Sequence, residues 1–487
     1  MAAHVKYCES RLGLRNSAVR IPFRYGSACL TRCPQAMLEL IVEVDGKQQA
    51  GYAADCLPPS WFDKSPDKSY SRQIEEMIGA IELAELFFED EMASASNCFD
   101  AWLTVLGGVH AEGAKRGWSA LLSSFGVSMV ERALLDATAR RYGQSFSRAL
   151  HGGLYGIRPG EVHLELAGAN VSEWLPLRQA ESLHVRHTVG LGDPLTSDEI
   201  SREDRQNDGR PQSLDEYIEQ CGISYFKIKV SNQLDHDLER LRCVAGVIEA
   251  RLAGQYRVTL DGNEQYGDAG QFDELVDAVR AEPDLETLWS NVLVIEQPLA
   301  RSIALEHGHT DGIRELSKSK PVIIDESDGE LDSFVQAMEL GYRGVSSKNC
   351  KGPIKSILNA GLVWNRNQRG GAADYVMTAE DLCTVGVVSV QSDLCLVAAL
   401  GLEHVEKNGH HFMPGLDYLP SKDQQAALAA HGDFYQQQGD SVGPRIEQGQ
   451  FQVASLGCAG FGFDVVPNMD KWTPAGEWEF SSLGLEE

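Results

Sequence analysis

YFKIKV (225–230), YRVTLDGN (256–263), VLVIEQP (292–298), PVIIDES (321–327) and YRGVSSKN (342–349) decide the fold. Each is a short apolar run that ends in charged residues and is followed by a segment of helical periodicity. From Lys229 to Asp261, Glu296, Asp325 and Lys348 the intervals are 32, 35, 29 and 23 residues (261 − 229, 296 − 261, 325 − 296, 348 − 325). A (β/α)8 barrel of ~250 residues averages about 31 residues per strand–helix unit. The spacing therefore predicts an α/β barrel. HVRHTVG (184–190) reads as an earlier strand, ADYVMTAE (373–380) as a seventh and the segment around HVEKNGHHF (404–412) as an eighth.

Before the barrel, MLELIVEV (37–44) alternates as a strand, Asp45-Gly46 signals a tight turn, and QQAGYAAD (48–55) is the return. From about Ser71 to Tyr142 the period becomes helical, and VSMVERALLDATARRY (127–142) reads as an amphipathic helix. Three spans follow: an α+β domain over 1–150, the barrel over 151–435, and a tail over 436–487 that returns to the first domain. Within the barrel span, the polar stretch 190–215 reads as a loop insertion after the first strand.

The 487 residues are 43% hydrophobic, enough for a core, and carry a net charge of −28, which argues against binding nucleic acid or an anionic membrane. Divalent cations remain welcome partners of so acidic a chain. The 11 cysteines are scattered without zinc-site spacing, the N-terminus lacks a signal-like apolar run, and no run reaches the ~20 residues of a membrane span. The expectation is a cytoplasmic enzyme with free thiols.

Strand ends face the active site of such a barrel. Alternation puts Lys227 and Lys229 on one side of their strand. Asp261, Glu296 and Asp325 bring three carboxylates from three successive strands, and Lys348 adds an ammonium from the next. Converging carboxylates repel unless a cation joins them. Mg2+, a hard ion that takes oxygen ligands, removes the conflict.

The ordered set Lys227-Ile228-Lys229, Asp261-Gly262-Asn263-Glu264, Glu296-Gln297-Pro298-Leu299, Asp325-Glu326-Ser327 and Lys348 resembles the enolase superfamily, in particular its muconate-lactonizing-enzyme-like subgroup. VERALLDATARRYGQSFSRALHGG (130–153) is also similar to that family's last helix and Gly-Gly closure before the barrel. The resemblance implies a modified TIM barrel capped by an α+β domain of N- and C-terminal segments. It implies Asp261, Glu296 and Asp325 as Mg2+ ligands, with Lys229 and Lys348 as acid/base groups on opposite faces of a small carboxylate substrate. Lys227 would tune Lys229, and Asn263, Glu380 and Glu406 would be substrate-side or supporting groups. The implied chemistry is removal of a proton α to a carboxylate through an enediolate, as in racemisation, epimerisation, cycloisomerisation or dehydration. The base must be a neutral lysine, which requires lowering a pKa of ~10.4 by about three units. A homo-oligomer is compatible with the family.

Glu403 and His404 lie near the eighth strand, and His187 is read as facing the mouth from the first. Arg24-Tyr25-Gly26 sits where a loop of the cap would cover the site. His307 and His309 have the form of a hydrolase metal motif but occupy a polar connection. The alternative is a catalytically degenerate barrel that serves binding or assembly.

Overall fold

The computed structural model describes residues 2–25, 28–94, 96–370 and 374–486. Three antiparallel strands open it: β1 (Val5–Tyr25), β2 (Ala28–Val44) and β3 (Lys47–Cys56). Asp45 and Gly46, both at positive φ (46° and 77°), make the two-residue turn that their sequence demands, and Val44 pairs with Lys47 across it. Three helices back the sheet: α1 (Tyr70–Glu91), α2 (Cys98–Lys115) and α3 (Ala120–Arg141).

Helix α3 departs from the amphipathic reading. It is buried on all sides from Leu121 to Ala139, clamped between β3, α1 and α2. Its buried charged residues survive because each has a partner. The Arg132 guanidinium donates to Asp55 (3.0 Å) and to the Ala54 carbonyl (3.0 Å), and Asp136 pairs with Arg140. Glu131 accepts from the Ile354 N–H at the start of a barrel helix (2.6 Å), which ties cap to barrel. The clamp needs a glycine at 51, where a Cβ would lie 2.1 Å from the Ala133 carbonyl oxygen.

Eight parallel strands follow: β4 (Ser182–Val189), β5 (Tyr225–Lys229), β6 (Arg257–Asp261), β7 (Val292–Glu296), β8 (Val322–Ile324), β9 (Gly344–Ser347), β10 (Val376–Ala379) and β11 (His404–Glu406). They neighbour one another in the order β10-β9-β8-β7-β6-β5-β4-β11, and β10 lies against β11 to close the ring. Register puts Lys229 beside Asp261 and Asp261 beside Glu296, a continuous row of charge along the ring's rim.

The tail divides. Gln450–Gln452 pairs antiparallel with β4 of the barrel, whereas Thr473-Pro474 adds to β1 of the cap. The insertion after β4 runs irregularly to Gln212 and then enters the helix Leu214–Cys221. Arg20 of β1 holds it through an ion pair to Asp208 and a bond to the Pro211 carbonyl (3.1 Å). No described helix is long and apolar enough to cross a membrane.

Candidate active site

The rim of the ring gathers the charged residues singled out above. Lys227 is its centre, 3% exposed, with Nζ 2.5 Å from Glu296, 2.6 Å from Glu406, 3.0 Å from Glu380 and 3.3 Å from Asp261. Lys229 lies at one side and donates to Asp261 Oδ2 (3.0 Å). Lys348 lies at the other, 2.8 Å from Asp325 and 3.1 Å from Glu380, with its ammonium 4.6 Å from the centre of the Trp61 ring. Asn263 binds Asp261 through its backbone N–H (2.7 Å), and its amide reaches Glu326 (3.5 Å).

Backbone geometry at the strand ends aims these groups. Asn263 and Glu264 both adopt positive φ, as does Gln297. The Gln297 carboxamide clamps the next strand end, accepting from the Asp325 N–H (2.7 Å) and donating to Ser327 Oγ (2.7 Å). Arg301 forks onto Glu264 (2.8 and 2.9 Å) and reaches the Trp61 carbonyl (3.0 Å), so the cap loop bearing Trp61 is tied to the turn after β6. Lys64 of the same loop also pairs with Glu264.

Burial sets the electrostatics. It pushes Glu296 well above the usual carboxylate range, and the neighbouring Glu380 adds to the push. Burial acts on Glu380 too, but Lys227, Lys348 and Arg186 outweigh it and hold that carboxyl well below its ordinary value. Glu326 is raised to about 7 by burial and by Asp325 and Glu264. For Lys229 burial lowers the pKa, but Asp261 outweighs it and keeps the ammonium above the lysine range. This is opposite to the lowered Lys229 expected of a base. The cause is visible: Asp261 has Lys229 and Lys227 as its only cations among the described residues. A further cation on Asp261 would weaken its hold on Lys229.

Glu296, Asp325 and Glu380 each offer an oxygen within 4.8 Å of the others, and Glu296 Oε2 is buried with no hydrogen-bond partner among the described residues. An orphaned carboxylate oxygen among buried oxygen donors fits a hard divalent cation. Asp261 joins this rim through Lys227.

Three participants were not legible. Lys351, fully buried on the turn after β9, bonds Asp325 Oδ1 (2.8 Å) and the Asp325 carbonyl (2.7 Å). Arg186 on β4 contacts Glu380 (3.3 Å) and donates to His404 Nδ1 (2.8 Å). Thr188, also on β4, donates to Glu406. For two of them the signal is parity: Arg186 and Thr188 share one face of β4, and His187 must take the other. The expectation that His187 faces the mouth is therefore corrected. It packs outside the ring on Tyr217 and hydrogen-bonds His410 (3.1 Å). Glu403 is exposed, and so are His307 and His309, away from the rim. Arg24 lines a cavity beside the mouth, and Gly26 lies outside the described residues.

Strand order, capping sheet and rim together define a class of fold: a (β/α)8 barrel capped by an α+β domain. Among solved structures the chain is similar to a mandelate racemase/muconate lactonizing protein from Herpetosiphon aurantiacus, with 16% identity and a TM-score of 0.58 over 95% of this chain and 99% of that one. It is likewise similar to a member of the enolase superfamily of unknown function from Enterococcus faecalis V583 (14%, TM-score 0.58, 96% and 98%). A dipeptide epimerase from the same organism, solved with Mg and the dipeptide L-Leu-L-Tyr, aligns at 11% identity with a TM-score of 0.53 over 84% and 92%. No family model matches the chain, and no curated protein matches it. At these identities the likeness is one of fold.

Proposed function

We propose that this chain is a divalent-cation-dependent isomerase or lyase that removes the proton α to a carboxylate. The observation that carries the reading is the two-sided rim. Lys229 and Lys348 reach it from different strands, each on its own carboxylate, with the buried acidic cluster between them. Two amines flanking one site suit removal of a proton from one face of a carbon and its return to the other.

Asp261, Glu296 and Asp325 would hold Mg2+, with Glu380 a further oxygen donor. The bound cation would supply electrostatic stabilisation of the negative charge that develops on the substrate carboxylate. The chain's own groups do the rest. Lys227 holds the carboxylates together and adds positive charge beside the reacting end. Lys229 and Lys348 move protons at Nζ. Trp61, anchored by Arg301, excludes water from Lys348.

A barrel kept only for binding has no observation in its favour. Buried carboxylates with strongly shifted pKa values, gathered at a barrel mouth, are the arrangement that working sites use.

The test is hydrogen exchange. The protein with Mg2+ is incubated in D2O with N-acyl amino acids, dipeptides and acid sugars, and loss of the α-proton signal is followed by NMR. Lys229→Ala and Lys348→Ala should each abolish exchange for one stereochemical face, with losses of about 10²–10⁴-fold. Exchange that survives both substitutions refutes the assignment.

A further inference from the structure

A second tier of charge lies behind the rim. Lys348, Glu380 and Glu406 line the mouth, at the ends of β9, β10 and β11. The residue after each of them turns to the other side of its strand end. These residues are Asn349, Asp381 and Lys407, and they meet around Asp393 of the helix Val388–Leu400. That helix is buried along its whole length, which makes it a fixed anchor.

Asp393 is 3% exposed and does not line the mouth. Both of its oxygens are in use. Oδ1 accepts from the Asn349 amide (2.8 Å), and Oδ2 accepts from the Thr384 hydroxyl (2.6 Å) and the Lys407 ammonium (3.3 Å). Lys407 also donates to Asp381 (2.5 Å) and to Thr384 Oγ1 (2.9 Å). The Asp381 carboxylate winds the loop after β10 around itself, accepting from the Cys383 and Thr384 N–H groups (2.9 Å each).

Taking a lysine and two carboxylates out of water is unfavourable, and apolar side chains of similar volume often pack as stably. Stability alone therefore does not account for this tier. Position does: three strand ends, each carrying a rim group, are bonded to one carboxylate on one helix. Groups that must act together need such a supporting shell to hold their geometry.

We propose that Asp393 is a positioning residue. It braces the ends of β9, β10 and β11 against the helix Val388–Leu400 and so fixes Lys348, Glu380 and Glu406 relative to one another. The inference rests on the proposed function only for what those three groups do.

The experiment uses the full chain and two variants, Asp393→Asn and Asn349→Leu. The first keeps the volume, but its NH2 must face either the Asn349 amide or the Lys407 ammonium, donor against donor. The second breaks the same bond without a change of charge. Asn349 Oδ1 has no hydrogen-bond partner among the described residues, so leucine deletes only the bonds of Nδ2. Amide hydrogen exchange, read by mass spectrometry, should quicken about tenfold in Asp393→Asn at 344–352, 376–386 and 404–412 together. The strand ends across the ring, 257–263 and 292–298, should keep the parent's rates. Mn2+, the probe for the cation and followed by EPR, should bind about threefold more weakly or worse in both variants, because Glu380 belongs to the acidic cluster. If Asp393→Asn does not fold, Asn349→Leu carries both readouts.

Faster exchange confined to 388–400 overturns the inference and leaves Asp393 a local packing residue. Mn2+ affinity that falls in Asp393→Asn alone also overturns it, because the lost charge then explains the effect. Unchanged affinity in both variants overturns it as well. A parent chain that binds no Mn2+ refutes the proposed cation site instead, and the three strand ends still decide the brace.

Discussion

Lys227→Met removes one ammonium from among four buried carboxylates while keeping the volume of the side chain. Nζ lies within 3.3 Å of Asp261, Glu296, Glu380 and Glu406. Breaking a buried ion pair by deleting one partner destabilises by about 3–5 kcal/mol. For cooperative unfolding of 487 residues at ~2 cal/mol/K per residue, the entropy is about 1 kcal/mol/K. The expected drop in Tm is thus on the order of 3–5 °C in EDTA. The drop should shrink as pH falls, because Glu296, already pushed up by burial and by Glu380, can take a proton in place of the lost ammonium. Mg2+ should rescue the variant. A ligand at 100 times its Kd stabilises by about 2.7 kcal/mol, and in the variant the ion no longer competes with an ammonium. Differential scanning calorimetry across an Mg2+ titration reads both effects. A variant as stable as the parent in EDTA refutes the electrostatic account of the cluster. A destabilised variant that Mg2+ does not rescue refutes the cluster as a cation site.

Other outcomes are expected. Burial pushes Asp325 up, but Lys348 and Lys351 outweigh it and hold the carboxyl below its usual range. A depressed carboxylate stabilises the fold above its unfolded value of ~3.9 and loses that contribution as pH falls through the lower folded value. In EDTA, urea unfolding midpoints should therefore start to fall at about pH 4 and keep falling at lower pH, less steeply in Asp325→Asn. Gly51→Ala drives a methyl into the Ala133 carbonyl and should cost about 1–3 kcal/mol; an unchanged urea midpoint would show that β3 and α3 are not so close. Arg301→Lys cannot reproduce the fork on Glu264 or the bond to Trp61. It should raise KM severalfold by loosening the Trp61 loop, and an unaltered KM would remove that loop from the site.

Reading the barrel from sequence worked where one side chain at a strand end carried the signal. Lys229, Asp261, Glu296 and Asp325 are such residues, and the spacing between them is the repeat of the fold itself. It failed where the information lay in parity or in three dimensions. His187 lies outside the ring, because the alternation of β4 gives the interior to Arg186 and Thr188. Lys351 looks like a solvated lysine in NCKGP, and only the turn after β9 bends it back under Asp325. Helix α3 shows a helical period in sequence, yet nothing there says that a sheet and two helices cover its polar side. The 190–212 insertion was visible as an interruption, but its path is not, because no periodicity marks it.

Lys227 has a consequence for how the molecule comes into being. A domain whose acidic centre is neutralised only by an imported ion must meet that ion in order to fold. Here the polypeptide brings its own positive charge into the ring, so collapse of the chain does not wait on an ion from solution.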